Sequence, residues 1–350
     1  PLTRRTVAGA ASACACIALL IGLGCGGENG DPATTASPSP SPQTLGSPPP
    51  RASAAPAPQP IFSGEVSQPS SGTPVPPGRG EPSGKIAFLS FRDGNQEIYV
   101  VNADGSDLKN ISAHEGADFD PDWSPDGSKI VFNSDREGTG IYVMNADGSD
   151  VQRLTAGGVS PKWSPDGTRI AYSRGGSLVI IDPDGDNPST VYDGGGSDPM
   201  MPCSGGAILG DWSPDGEWVA FYTADLSRGA AEICVVATDG SEIKLIVENP
   251  PGIHVEPNWS PDSTRIAFRS IRDGAHQIYV YDLATGEQTR LTEHAGLDAE
   301  PAWSPDGGWI AFVSDRDAPE SDIYVMSADG SDLRRLTTHA RKDSFPTWAP

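Results

Sequence analysis

Residues 121–155 read PDWSPDGSKIVFNSDREGTGIYVMNADGSDVQRLT, and this pattern returns along most of the chain. Its opening phrase is Trp-Ser-Pro-Asp-Gly, which recurs with small changes 40 to 49 residues apart. The six tryptophans that begin it are Trp123, Trp163, Trp212, Trp259, Trp303 and Trp348. A period of this length is that of one supersecondary unit repeated side by side, and it decides how every shorter segment is interpreted.

Each repeat contains four short phrases that are typical of β-strands. In the stretch quoted above they are the Pro121 to Trp123 phrase, Ile130-Val131-Phe132, Ile141-Tyr142-Val143 and Arg153-Leu154-Thr155. The phrases are separated by Asp-Gly turns, which supply the positive φ that tight hairpins need. Four strands in every repeat, six times, with no room for helices, predict an all-β fold. We expect a six-bladed β-propeller of four-stranded blades over residues 85–350.

The two ends of the repeat region complement each other. The first repeat begins at Lys85 without a Pro-x-Trp strand, whereas Phe345 to Ala349 form such a strand with no repeat behind it. We therefore predict that this C-terminal strand pairs into the first blade and closes the ring without a covalent bond.

The phrases W-S-P-D-G, I-A-F-x-S, I-Y-V-M-N-A-D-G and R-L-T resemble the repeats of the TolB family across residues 85–350. The resemblance implies a six-bladed propeller and a protein of the bacterial cell envelope. TolB proteins carry a globular α/β domain ahead of the propeller, and here a Pro-rich segment occupies that place, which argues against a direct Tol–Pal role. Because one propeller fold serves many functions, the resemblance predicts the fold more strongly than the function.

The N-terminal part is predicted to be an export signal followed by a tether. Residues 1–25 combine Arg4-Arg5 with an apolar run that is short for a membrane-spanning helix, and they end at Cys25, which resembles a lipoprotein cleavage site. An uncleaved anchor is the alternative. Residues 26–84 are rich in Pro, Ser and Gly and have too little apolar material to fold. We expect an exported, monomeric propeller tethered to the membrane through a lipidated Cys25.

Net charge excludes one class of partner. The chain carries 24 Lys and Arg against 47 Asp and Glu, a net charge of −23, and the imbalance falls entirely on residues 85–350. Nucleic acid is therefore not an expected partner, because phosphate binding needs clustered positive charge. At least fourteen of the acidic residues are Asp of the two turn series. We interpret the charge as turn chemistry and not as a binding field.

The loops of one face carry the candidate ligand-binding residues. Strands alternate in direction, so the Ser-Pro-Asp-Gly and Asn-Ala-Asp-Gly turns share one face, and the longer loops share the other, which we call the loop face. One series on it is a His followed by an acidic residue, and the other is an Arg after the second strand of each blade. The candidates are His114, Asp118, His254, Glu256, His294, Asp298, His339, Asp343, Arg92, Arg136, Arg174, Arg228, Arg272 and Arg316.

Two interpretations of this set stand open. A ring of arginines can bind carboxylates through paired hydrogen bonds, so the face would hold peptide C-termini or an acidic polymer, with the histidines adding pH dependence. Alternatively, each Arg pairs with an acidic residue of a loop, and each His ties its loop to a hydroxyl of the neighbouring strand. Repetition in nearly every blade favours the second, structural interpretation.

Little in the chain is typical of catalysis. It contains no Gly-x-Ser-x-Gly nucleophile motif. Asp118-x-Asp120-x-Asp122 and the Asp182 to Asp186 segment resemble fragments of calcium loops, but neither has the full ligand spacing. The histidines lie one per blade, which disfavours a transition-metal site. We predict no cofactor, no metal and no enzymatic activity. The predicted function is to bind a protein, peptide or envelope polymer.

Two other classes of function remain as alternatives. One is a metal-dependent propeller enzyme of the lactonase or sugar dehydrogenase type, which would need a central cage of acidic residues or histidines. The other is a purely structural envelope protein.

Cys203 and Cys234 lie in the irregular fourth repeat. Cys234 takes the position that Tyr99 and Tyr142 hold in other repeats, so it is expected inside a strand. A disulfide between the two would form readily after export, and the alternative is one inert buried thiol and one loop thiol. The insertion at 199–204, which contains Met200 and Met201, is predicted either to contact a protein or to pack over its own blade.

Overall fold

Residues 80–194, 203, 205–225, 230–247 and 252–350 are described by the computed structural model of the chain. Within these ranges there are 24 strands and no helix, and therefore no helix that is long and apolar enough to cross a membrane. Several predictions fall outside the described residues. They concern the export signal 1–25 with Cys25, the tether as far as residue 79, Arg228, and the insertion at 199–204 apart from Cys203.

The strands form six antiparallel four-stranded sheets, the blades of a propeller. Blades 1 to 6 contain, from the inner to the outer edge, β24-β1-β2-β3, β4 to β7, β8 to β11, β12 to β15, β16 to β19 and β20 to β23. The strands are β1 Lys85–Ser90, β2 Glu97–Asn102, β3 Lys109–Asn110, β4 Asp118–Trp123, β5 Lys129–Ser134, β6 Gly140–Asn145, β7 Gln152–Arg153, β8 Val159–Trp163, β9 Ile170–Arg174, β10 Ser177–Ile181, β11 Ser189–Tyr192, β12 Gly206–Trp212, β13 Trp218–Asp225, β14 Ala230–Ala237, β15 Ile243–Val247, β16 His254–Trp259, β17 Arg265–Ser270, β18 Gln277–Asp282, β19 Gln288–Arg290, β20 Asp298–Trp303, β21 Trp309–Ser314, β22 Asp322–Ser327, β23 Arg334–Arg335 and β24 Asp343–Trp348.

The predicted closure of the ring is confirmed. Strand β24 pairs antiparallel with β1, placing Trp348 opposite Ile86 and Asp343 opposite Ser90. The first blade therefore takes its inner strand from the C-terminus and its other three from the start of the repeats. Two differences from the predicted bounds are small: the closing strand begins at Asp343, and the outer strand of blade 2 ends at Arg153, so Leu154 and Thr155 lie beyond it.

The hydrophobic core consists of six clusters, one between each pair of neighbouring blades. Each cluster contains the tryptophan of one Trp-Ser-Pro-Asp-Gly phrase, which is buried at the inner end of its blade. Between blades 1 and 2, for example, Trp123 packs with Ile98, Phe132 and Tyr142. The repeated Ile, Phe and Tyr positions of the sequence are therefore the surfaces through which one blade packs on the next.

The Ser-Pro-Asp-Gly turns account for much of the negative charge. In blade 2, the Asp126 carboxylate accepts hydrogen bonds from the Ser124 hydroxyl, 2.6 Å away, and from the Ser128 backbone N–H, 3.0 Å away. These hydrogen bonds stabilise the ionised carboxylate and lower the pKa of Asp126 to about 2. Gly127 follows with a φ of 67°, which explains the Gly in this turn. The carboxylate of this aspartate thus binds hydroxyl and backbone groups of its own turn.

Cys203 and Cys234 form a disulfide in blade 4, with their Cα atoms 6.2 Å apart. Cys234 lies in β14 opposite Phe221, as Tyr99 lies opposite Phe88 in blade 1. The Tyr192 hydroxyl of blade 3 donates a hydrogen bond to the Cys203 carbonyl. The disulfide therefore fixes the connection between blades 3 and 4 to the third strand of blade 4.

Candidate functional site

The inner strands of the six blades surround a central channel. Each of β4, β8, β12, β16 and β20 contacts the inner strand of the next blade, and β24 closes the circle by contacting β4. A bulge interrupts each inner strand where it pairs with its neighbour. In five blades the residue three before the tryptophan has a positive φ, which turns its side chain away from the regular pleat. We call this set the channel collar: Asp120, Ser160, Glu256, Glu300 and Phe345.

Hydrogen bonds join the members of the channel collar from blade to blade. The Ser160 hydroxyl lies 3.2 Å from the Asp120 carboxylate. The Glu300 backbone N–H donates to the Glu256 carboxylate at 2.8 Å, and the Phe345 backbone N–H donates to the Glu300 carboxylate. At Glu300 and Phe345 the left-handed backbone is thus held by a carboxylate of the preceding blade.

A second ring lies one residue before each tryptophan and has a structural role. Its carboxylate and amide groups accept the backbone N–H of the tryptophan in the next blade: Asp122 binds Trp163, and Asp211 binds Trp259. Lys162 also lies 3.1 Å from Asp122, so the ring contains one cation. Because Trp163 and Trp259 each belong to the blade that follows their acceptor, these bonds hold neighbouring inner strands in register around the channel.

Burial shifts the ionisation of the channel carboxylates. Burial, and then the neighbouring Glu256, raise the pKa of Glu300 to about 7. Burial also raises the pKa of Asp211 to about 7, against the attraction of Lys162. The pKa of Lys162 is raised: burial alone would lower it, but Asp122 and Asp211 outweigh that effect. The channel therefore combines five carboxyl groups with Lys162 and Arg269, which pairs with Glu256 at 2.7 Å.

Phe345 is the apolar member of the channel collar. It is 38% exposed, one of four large hydrophobic residues that are exposed among the described residues. Its φ of 53° is unusual for a bulky residue. Backbone strain of this kind is concentrated at functional sites, so Phe345 is a candidate binding residue. The sequence placed Asp120 in a candidate calcium loop and Phe345 in the closing strand, but it did not indicate that these residues meet in a collar.

The structure places three of the predicted arginines in buried ion pairs. Arg92 lies 2.8 Å from Asp343, Arg316 lies 2.7 Å from Asp298, and Arg136 pairs with Asp118 in the same way. All three aspartates are fully buried. The structural interpretation predicted pairing with an acidic residue of a loop, and this detail is wrong, because each Asp is the first residue of an inner strand. Of the other three, Arg174 is exposed and Arg228 lies outside the described residues. The Nη2 atom of Arg272 is buried and has no hydrogen-bond partner.

The histidines bind their own loops. The Nδ1 atoms of His114, His294 and His339 accept the backbone N–H of the residue two positions later, at 2.8 to 3.2 Å. The prediction that each His binds a strand hydroxyl is therefore wrong for these three, because the tight loop brings one of its own backbone N–H groups within hydrogen-bond distance of the ring. His254 alone among the four follows the prediction, with its Nδ1 atom 3.0 Å from the Ser270 hydroxyl.

The two candidate calcium loops are occupied by internal contacts. Asp118, Asp120 and Asp122 bind Arg136, Ser160 and Lys162 respectively, so their carboxylates face different partners. The Asp182 to Asp186 segment forms a hairpin turn in which Asp184 accepts the Asp186 backbone N–H. Across the described ranges, no group of three or more His, Cys, Asp or Glu is placed to hold a metal ion.

Comparisons with known proteins agree with the fold. A family model described as the TolB beta propeller domain matches residues 70–177 and 175–350. The chain is 33% identical over 206 residues to the protein TolB homolog of Chlorobium luteolum, covering 59% of this chain and 35% of that protein. It is 35% identical over 69 residues to the Tol-Pal system protein TolB of Geobacter sulfurreducens, covering 20% of this chain and 15% of the relative.

Among solved structures, TolB from Acinetobacter baumannii aligns with a TM-score of 0.67 and 21% identity, covering 77% of this chain and 68% of that one. At this identity the likeness concerns the fold alone. The matched region spans about a third or less of the length of the two curated relatives, so most of each relative has no counterpart in the alignment.

Proposed function

Because the chain belongs to the TolB β-propeller family, we propose that it is a non-catalytic binding protein of the bacterial cell envelope. In this proposal the channel collar receives a segment of a protein partner that carries a cationic side chain. The names of two relatives support the setting, since the chain is similar to a TolB homolog and to a Tol-Pal system protein. Export, with lipidation at Cys25 as the tether, is part of the proposal.

The observation that carries the proposal is the chemistry of the collar. Asp120, Glu256 and Glu300 place three carboxyl groups at equivalent positions of the inner strands, and Phe345, whose backbone N–H binds Glu300, adds an exposed aromatic ring. Lysine and arginine side chains are attracted both to carboxylates and to the faces of aromatic rings. A cleft lined by carboxyl groups also concentrates the field that guides a cationic partner to it. The collar therefore fits a Lys or Arg side chain of a polypeptide better than it fits an acidic polymer.

Site-specific photo-crosslinking in cells tests this function. A photoreactive phenylalanine analogue replaces Phe345, and as a matched control the same analogue replaces Leu333, which is 44% exposed on the outside of blade 6. We expect a discrete protein adduct at position 345, joined through a peptide that contains Lys or Arg, and none at 333. Absence of an adduct at 345, or the same adducts at both positions, would contradict the proposal and favour a purely structural propeller.

The ionisation of Glu300 gives a prediction for stability. Its pKa is about 7 in the folded protein and 4.5 ordinarily, so the folded state binds the proton more tightly than the unfolded state does. Stability therefore falls as the pH rises through that window. We expect Glu300→Gln to raise the melting temperature at about pH 8 and to have little effect at about pH 5, where wild-type Glu300 is already largely protonated.

Thermal unfolding followed by circular dichroism at several pH values is the measurement. Glu115→Gln, which removes an exposed carboxylate of a loop-face loop, is the matched control and should show no such pH dependence. An effect of Glu300→Gln that is the same at both pH values would show that the pKa of Glu300 is not raised in the folded protein.

A further inference from the structure

Four arginines of the loop face have nearly the same surroundings. In blades 1, 2, 5 and 6, the Nε atom of the Arg donates to the hydroxyl of the Ser two residues earlier, and the guanidinium stacks over the Phe and Tyr of its own blade. The four are Arg92, Arg136, Arg272 and Arg316. In three of them the Nη2 atom then binds the inner-strand aspartate.

Blade 5 lacks that aspartate. Its inner strand begins with His254, which is 1% exposed and is bonded to Ser270. Burial, followed by the charge of Arg272, lowers the pKa of His254 to about 4, so its ring is neutral near pH 7 and supplies no negative charge. Blades 2 and 6 also have an Asp immediately before the Arg, at positions 135 and 315, whereas blade 5 has Ile271.

Arg272 is consequently a cation without an anionic partner in the part of the chain that the structure describes. Its Nη2 atom is buried and makes no hydrogen bond, and its one hydrogen-bonded side chain is Ser270. The nearest carboxylate in sequence, Asp273, accepts a hydrogen bond from the Tyr279 hydroxyl and pairs with Arg290. A buried guanidinium nitrogen without an acceptor lowers the stability of the fold. In the other three blades a buried aspartate supplies that acceptor.

We propose that Arg272 binds a carboxylate group from outside the chain, presented by a peptide, in place of the aspartate that the other three blades supply themselves. The guanidinium is already oriented by Ser270 and by the ring of Tyr279, 4.5 Å from its centre, so little ordering remains when a carboxylate arrives. Arg272 as a whole is half-buried on the loop face, so a carboxylate approaches from that face and must displace the atoms that cover Nη2. This site is separate from the channel collar and takes a ligand of the opposite charge.

Calorimetric titration with N-acetyl-triglycine, which has a free C-terminal carboxylate, tests the proposal, and the C-terminal amide of the same peptide is the probe control. We expect the acid to bind and the amide to bind at least about tenfold more weakly. Arg272→Gln should abolish the difference between the two probes. Arg174→Gln, which changes an exposed Arg of the same series, should leave it unchanged. If acetate binds with the same affinity as the peptide acid, the ligand is a small carboxylate and not a chain terminus. That result would still support a carboxylate site at Arg272.

A second variant supplies a carboxylate to Arg272 from the protein itself. His254→Asp restores the ion pair of blades 1, 2 and 6, so it should keep or raise the melting temperature and yet prevent the peptide from binding. Binding of acid and amide with equal affinity, or wild-type binding in His254→Asp, would overturn the proposal even if Arg272→Gln does not fold. Glu248 lies outside the described residues and close in sequence to blade 5. Binding that appears only in Glu248→Gln would also overturn the proposal, because the chain would then supply the carboxylate itself.

Discussion

Removal of residues 344–350 is expected to prevent folding of the propeller, or to lower its melting temperature by roughly 10 °C or more. These residues supply most of β24, the inner strand of blade 1. Trp348, 6% exposed, belongs to the hydrophobic cluster between blades 6 and 1, and the loss of one such aromatic costs about 3–5 kcal/mol. Without the strand, the edge of β1 is also left unpaired at the centre of the molecule.

Thermal unfolding of the truncated chain is the direct measurement, and two point variants separate the causes. Trp348→Ala keeps the strand but removes the packing, and it should lower stability by about 3–5 kcal/mol. Phe345→Ala removes an exposed side chain from the same strand and should change stability much less. A truncated chain with the melting temperature of the full chain would show that the ring does not depend on this closure.

Loss of the disulfide in blade 4 is expected to cost about 3–4 kcal/mol of stability. Cys203 and Cys234 are 31 residues apart in sequence, and closing a loop of that size restricts the unfolded chain. The bond also fixes the connection from blade 3, because Tyr192 binds the carbonyl of Cys203. Melting temperatures measured with and without a reducing agent should therefore differ by several degrees.

A variant in which Cys203 and Cys234 are both replaced by Ala is the control for this experiment. Its melting temperature should be low and should not respond to the reducing agent. Peptide mapping of the native, unreduced protein gives the chemical answer, since Cys203 should resist alkylation. If Cys203 is freely alkylated before reduction, the bond does not form in the native protein.

The sequence determined the architecture of this protein because the necessary information is local and repeated. A phrase such as Trp123 to Gly127 specifies a strand end and a turn within a few residues, and six copies of it specify six blades. The missing strand at Lys85 and the spare one before Pro350 likewise predicted the closure, since each repeat contains the same four strands.

The sites were decided by tertiary structure, because they depend on which residues meet across blades and on departures from the repeat. Glu256 and Glu300 lie 44 residues apart in sequence, and only the arrangement of the blades makes the one hold the backbone of the other. Arg272 reads in sequence like Arg92 and Arg316, yet it alone of these three faces a histidine where the others face a buried aspartate. Local patterns fix the backbone, but the pairing of a buried charge is fixed by its neighbours in space.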